Sequence, residues 1–160
     1  MRVRTELSEM PPAFTVVRTG EMADITFYTD IQADARGEEI VYSATAWTAT
    51  FPWASTLQTR IEESTEVWRA KVEEKCTNEA AERIRSIRDA LLRASDASVA
   101  LDRLGLEVPT GSAFASWLSF LTQLGNALMG QWAIYRQRLR DIPQQEGFPF
   151  NVVWPTKPDE

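Results

Sequence analysis

The chain has no histidine and one cysteine, Cys76, in 160 residues. These two absences exclude a Cys/His metal set, a Ser-His-Asp triad, a Cys-His pair and any internal disulfide. No glycine-rich loop with phosphate-binding spacing occurs, and neither does a paired nucleophile and base. The reading is therefore non-enzymatic, with no cofactor and no metal. Basic residues are also in deficit: 17 Lys and Arg stand against 23 Asp and Glu, for a net charge of -6 and a pI near 4.8. That balance argues against nucleic acid as a partner, because non-specific affinity for it comes from neutralising phosphates. No apolar run approaches the roughly 18 residues that a membrane span needs. The N-terminus, Met-Arg-Val-Arg-Thr-Glu-Leu-Ser-Glu, lacks the apolar centre of a signal peptide, so a cytoplasmic protein is expected.

Hydrophobic residues make up 44% of the chain and charged residues 25%, which is the composition of a folded domain rather than a disordered segment. The six tryptophans, at positions 47, 53, 68, 117, 132 and 154, are spread along the chain and read as packing anchors. Phe14 to Thr19 is rich in valine and threonine and predicts a strand. Ala23, Ile25 and Phe27 alternate with Asp24, Thr26 and Tyr28, which predicts a second, half-buried strand. The polar stretch Gln32 to Glu39 predicts a loop, and Ile40 to Phe51 a third strand with Val41, Trp47 and Phe51 on one face. Short connections favour an antiparallel meander, since parallel pairing needs longer crossovers.

At Pro52-Trp53 the hydrophobic period changes from two to about 3.6. Ser55 and Gln58 have the spacing of a capping box. Leu57, Ile61, Trp68, Val72, Cys76, Ala80, Ile84, Ile87 and Leu91 then form one apolar stripe. A single helix reaching Ala94 would be about 60 Å long, so it projects or bends, and Thr77-Asn78 is its weakest point. Interleaved charges on this helix, such as Glu79, Glu82, Arg83, Arg85, Arg88 and Asp89, read as a solvated or ion-paired face. Ser95-Asp96 ends one helix and can cap a short next one through Leu104, and Ser112 caps a further helix after Val108-Pro109-Thr110-Gly111. Phe114, Leu118, Leu121, Leu128, Trp132, Tyr135 and Leu139 continue at alternating steps of four and three, with Gly125 in one apolar place. This period is compatible with a coiled-coil contact in a homo-oligomer, but in a chain this short it is more often that of a buried bundle helix. Pro143 should end that helix and bias Ile142 towards extended geometry. From Pro143 to Glu160 the chain has four prolines, two phenylalanines and one tryptophan, which predicts an extended tail lying in a groove. The expected fold is α+β: an antiparallel β-meander (1–53), a long amphipathic helix (54–95), and a helical region with an extended tail (96–160).

The residues Tyr135-Arg136-Gln137, Leu139-Arg140-Asp141-Ile142-Pro143, Gln145, Gly147-Phe148-Pro149, Trp154-Pro155 and Pro158 form a long string. It resembles the C-terminal signature of bacteriophage tail assembly chaperone proteins. Upstream, Arg88-Asp89-Ala90-Leu91-Leu92-Arg93-Ala94-Ser95-Asp96 resembles the helix end that precedes this signature in the family, with Ala97 here where the family usually has Trp. The resemblance covers the second half of the chain. It implies a phage tail assembly factor whose partner is a tail fibre or baseplate protein, working in the host cytoplasm. The alternative it implies is a structural virion component attached through the same module.

The candidate partner-binding or tail-docking residues are Trp132, Tyr135, Arg136, Leu139, Arg140, Phe148, Phe150 and Trp154. Phe148, Phe150 and Trp154 either fold back on the protein's own helices or dock onto a partner. Arg136 and Arg140, four residues apart and so on one side of a helix, either hold the tail through its carbonyls and acids or serve recognition.

Overall fold

The computed structural model describes residues 1–36, 39–96, 108–111, 113–128 and 130–158. The chain divides into two compact units, Met1–Glu82 and Arg83–Glu160.

The first unit opens with four strands: β1 (Arg2–Leu7), β2 (Phe14–Thr19), β3 (Met22–Arg36) and β4 (Glu39–Pro52). They form one antiparallel sheet in the order β1-β4-β3-β2. The expected meander is present as β2-β3-β4. Gly20, at φ 64°, makes the tight turn between β2 and β3, where a side chain would be strained. The register stacks Phe14, Phe27 and Trp47 across three strands, with Val16, Ile25 and Ala49 as the next row. These rows line the buried face, with the Phe14 and Phe27 rings 5.7 Å apart. The other face is polar: Thr26 and Thr48 share a hydrogen bond of 2.9 Å, and Thr50 donates to Asp24 at 2.6 Å. Alternation of the two rows is what the period of two encodes.

Two features of the sheet differ from expectation. β1 adds a fourth strand on the far edge of β4, outside the expected meander. Of the expected loop over Gln32 to Glu39, residues 32–36 and Glu39 instead belong to the ladder of β3 and β4, with Arg36 paired to Glu39, and Gly37-Glu38 lie outside the described residues. Residues 32–35 are exposed, and the alternation of Ala33 and Ala35 with Gln32 and Asp34 uses side chains too small to give a strong strand signal. A register shift lies between Thr29 and Gln32, with Asp30 at φ 51°.

Helices α1 (Leu57–Glu63) and α2 (Thr65–Ala94) follow. Leu57, Ile61, Trp68 and Val72 bury against the sheet rows, and Phe51 meets Trp68 edge-on with ring centroids 5.5 Å apart. Burying each such side chain contributes about 1.5–3 kcal/mol. The helical stretch does bend, but at Ser64 and not at Thr77-Asn78. Glu62-Glu63-Ser64-Thr65 has weak helix formers at its end, and the Thr65 hydroxyl donates to the Ile61 carbonyl at 3.0 Å, competing with the backbone ladder. Thr77 sits inside an unbroken helix, donating to the Glu73 carbonyl at 2.7 Å. The capping box is also absent: Thr56 is the N-cap and makes no side-chain cap bond, while Gln58 donates along the helix to Glu62 at 3.1 Å.

In the second unit, the end of α2 is followed by α3 (Phe114–Leu128) and α4 (Gln131–Arg140), then a 3-10 turn over Ile142–Gln144. The expected short helix after Ser95-Asp96, through Leu104, and the expected cap Ser112 lie outside the described residues. The core of this unit is Tyr135, Leu139 and Ile142, covered by Ile84, Leu91 and Leu92 of α2 and by Trp132, Phe148, Val152 and Trp154.

Candidate functional site

The signature region is built on the α4 face that carries Trp132, Tyr135 and Leu139. Tyr135 and Leu139 are buried, and Trp132 meets Tyr135 edge-on with centroids 5.8 Å apart. These spacings of three and four are what put one face of the helix inward. Asp141 continues in helical geometry at φ -80° and ψ -8°, so Ile142 enters the 3-10 turn and is fully buried. Pro143 therefore sits within a tight turn, and Ile142 is not extended as expected. A proline near the start of a helical turn loses no needed donor, because the first N–H groups of a turn have no partner within it.

After that turn the chain is coiled, which corrects the expectation of a fully extended tail. Phe148 N–H donates to the Gln145 carbonyl at 3.0 Å, and Asn151 N–H to the Gly147 carbonyl at 2.7 Å. A Cβ at Gly147 would lie 2.2 Å from the Asn151 carbonyl oxygen, so this turn requires glycine. The peptide bond between Phe148 and Pro149 is cis. Residues 152–158 run without regular structure, and the Gln145 side chain holds them by pairing with Val153 in both directions. Nε2 donates to the Val153 carbonyl at 2.9 Å, and Oε1 accepts from the Val153 N–H at 2.8 Å.

The tail aromatics fold back on the unit's own helices. Phe148 and Trp154 pack against the buried cluster, and Phe148, Phe150 and Trp154 are each more covered than exposed. Cations cover the ring faces: Arg85 lies 5.5 Å over Phe148, and Lys157 lies 5.6 Å over Trp132.

The two candidate arginines separate. Arg136 does not hold the tail. Its Nη1 donates to the Leu92 carbonyl at 2.8 Å and to the buried Ser95 hydroxyl at 2.7 Å, and pairs with Asp96 at 2.8 Å. Leu92 and Ser95 mark the end of α2, where carbonyls lack helical partners and the dipole favours a cation. Arg140 is exposed and makes no hydrogen bond or ion pair with another described residue. Of the eight candidates, Tyr135, Arg136 and Leu139 are thus internal scaffold, and Trp132, Phe148 and Trp154 are partly covered by it. The partners of Arg136 are within reach of the sequence, since Arg88 to Asp96 reads as a helix end. Their pairing with α4 requires the fold.

Residues 81–159 match the family described as phage tail assembly chaperone protein. The C-terminal half of the chain belongs to that family. The match supports a role in phage tail assembly, and it covers residues 83–159 of the second unit and the last two residues of the first. No curated protein and no solved structure matches the chain. Within the matched region, the signature residues hold the module together: the Arg136 clamp closes α2, Gly147 permits the turn, and Gln145 fixes the tail. Among the described residues no group of three or more His, Cys, Asp or Glu could hold a metal ion, and no helix is long and apolar enough to cross a membrane.

Proposed function

We propose that this chain is a non-enzymatic helper that binds a tail fibre or another tail component during phage tail assembly, in the host cytoplasm. The observation that carries the reading is the family match over residues 81–159. Intermediates of β-rich fibrous proteins expose strand edges and apolar surface until their subunits associate, and such surface aggregates. A helper needs only to cover it and then let go, which takes no nucleotide or chemistry.

The client-facing surface is sought away from the signature, because the tail is packed on its own module and is not a free arm. The sheet of the first unit offers a place. β2 pairs only with Met22–Phe27 of β3, so residues 28–36 of β3 have no strand on that side among the described residues. Such an edge can accept a client strand through backbone hydrogen bonds, with little demand on client sequence.

A virion component attached through the same module is the second reading, since the family match over residues 81–159 supports a role in tail assembly that is compatible with staying in the particle. Affinity purification of the tagged chain from infected cells, with mass spectrometry of purified particles, separates the two. The helper reading expects a fibre or other tail protein with the tagged chain and none of the chain in particles. Stoichiometric presence in particles replaces it with the virion component, and recovery of no tail protein in either sample contradicts both.

A further inference from the structure

Helix α3 has an apolar stripe turned to solvent. Phe114 is 79% exposed, Leu118 53% and Leu121 57%, three large side chains at steps of four and three on one face. The same spacing continues into α4, where Tyr135 and Leu139 are buried. In α3 nothing of the described chain covers these positions.

The charge pattern says what does. From Val108 to Tyr135 the sequence has 28 residues without one Asp, Glu, Lys or Arg, in a chain that is 25% charged. Partner choice between helices is set by charges flanking the apolar seam. Here the flanking positions are Ala115, Trp117, Thr122 and Leu124, so no charge selects a foreign helix of opposite sign. Two copies of a chain with net charge -6 repel each other generally, and this stretch is where they can meet without opposed like charges. Gly125 stands at a seam position, and a Cβ built there meets nothing within 4 Å, leaving a gap that a large side chain of a facing helix can fill.

We propose that α3 pairs with α3 of a second copy of this chain through Phe114, Leu118 and Leu121. The contact does not depend on client binding or on the open edge of β3. The helix is 15 residues long, about 22 Å at 1.5 Å per residue, so the pairing is short and belongs to the weak, reversible class.

Sedimentation equilibrium of the full chain over a concentration series tests this. The wild type should rise from the mass of one copy towards that of two, and the double variant Leu118→Glu/Leu121→Glu should stay at one copy throughout with an unchanged circular dichroism spectrum. Leu121→Glu and Leu121→Lys should each be monomeric alone and associate when mixed. If the glutamates cost helix content, Leu118→Cys and Leu121→Cys in a Cys76→Ala background, treated with diamide singly and as a mixture, decide: a covalent dimer in any of the three supports the pairing, and monomer in all of them overturns it. A wild type that is monomeric at every concentration, or a double-glutamate variant that associates as well as wild type, overturns it too. A monomeric wild type whose client binding is lost in the double variant gives the face to the client instead.

Discussion

Arg136 of α4 donates from Nη1 to the carbonyl oxygen of Leu92 at 2.8 Å, closing the end of α2 with a cation from 44 residues further along the chain. The same nitrogen also reaches Ser95 and Asp96, and the arginine side chain is only 14% exposed. Hydrogen bonds to a charged group contribute about 1.5–3 kcal/mol, and without the guanidinium the Leu92 carbonyl keeps only the Ser95 N–H and hydroxyl as donors. Arg136→Ala should therefore destabilise the protein by about 2–3 kcal/mol in urea denaturation. Because every contact is made by one nitrogen, the planar fork is not in use, and Arg136→Lys should recover part of the loss. A fully stable alanine variant would show the clamp to be dispensable. Arg140→Ala should be close to neutral for stability.

Gly147 is fixed by space. With a Cβ forced to 2.2 Å from the Asn151 carbonyl, Gly147→Ala must open the turn over residues 147–151. Overpacking of this kind costs about 1–3 kcal/mol, and a lowered melting temperature is the expected reading. An unchanged value would mean the turn relaxes freely.

Gln145 holds the final segment by two hydrogen bonds to Val153 that are exposed to water, so its contribution should be about 1 kcal/mol. The effect of Gln145→Ala should be local: faster hydrogen exchange at the Val153 amide, with little change at Leu139. Equal exchange at Val153 in both proteins would mean that the cluster around Trp154 alone fixes the segment.

Proline can probe the free edge of β3. Successive N–H groups along a strand point to opposite edges, so of Ala33→Pro and Asp34→Pro one breaks the ladder to β4 and the other removes a donor from the open side. The second should cost the isolated protein about 1 kcal/mol or less, yet weaken client binding in a co-purification assay. If that variant binds its client as wild type does, the edge is not the docking surface.

The sequence carried the apolar rows of β2, β3 and β4 and the inward face of α4, because period two and period 3.6 each leave a repeating mark on side-chain choice. β1 leaves only a faint mark, the alternation of Val3, Thr5 and Leu7 with Arg2, Arg4 and Glu6, because a strand so polar gives a weak signal. Residues 32–36 of β3 were hidden because the alternating side chains of Ala33 and Ala35 are too small to mark a strand, and the bend at Ser64 because the apolar stripe keeps its phase across it. At the site, the composition of the tail announced that it would be packed. Its coiling depends on the closeness of Gly147 to Asn151 and on the pairing of Gln145 with Val153, neither of which has a spacing rule. The Arg136 clamp is a long-range contact, and no local pattern encodes its partner.

Assistance to a client is the central claim, and co-expression with a tail fibre protein of the same phage measures it most directly, by the yield of soluble, assembled fibre. The account predicts that assembled fibre requires this protein and that deleting residues 143–160, which removes the cover of the Tyr135, Leu139 and Ile142 cluster, abolishes the benefit. Equal yields of folded fibre with and without the protein would contradict it.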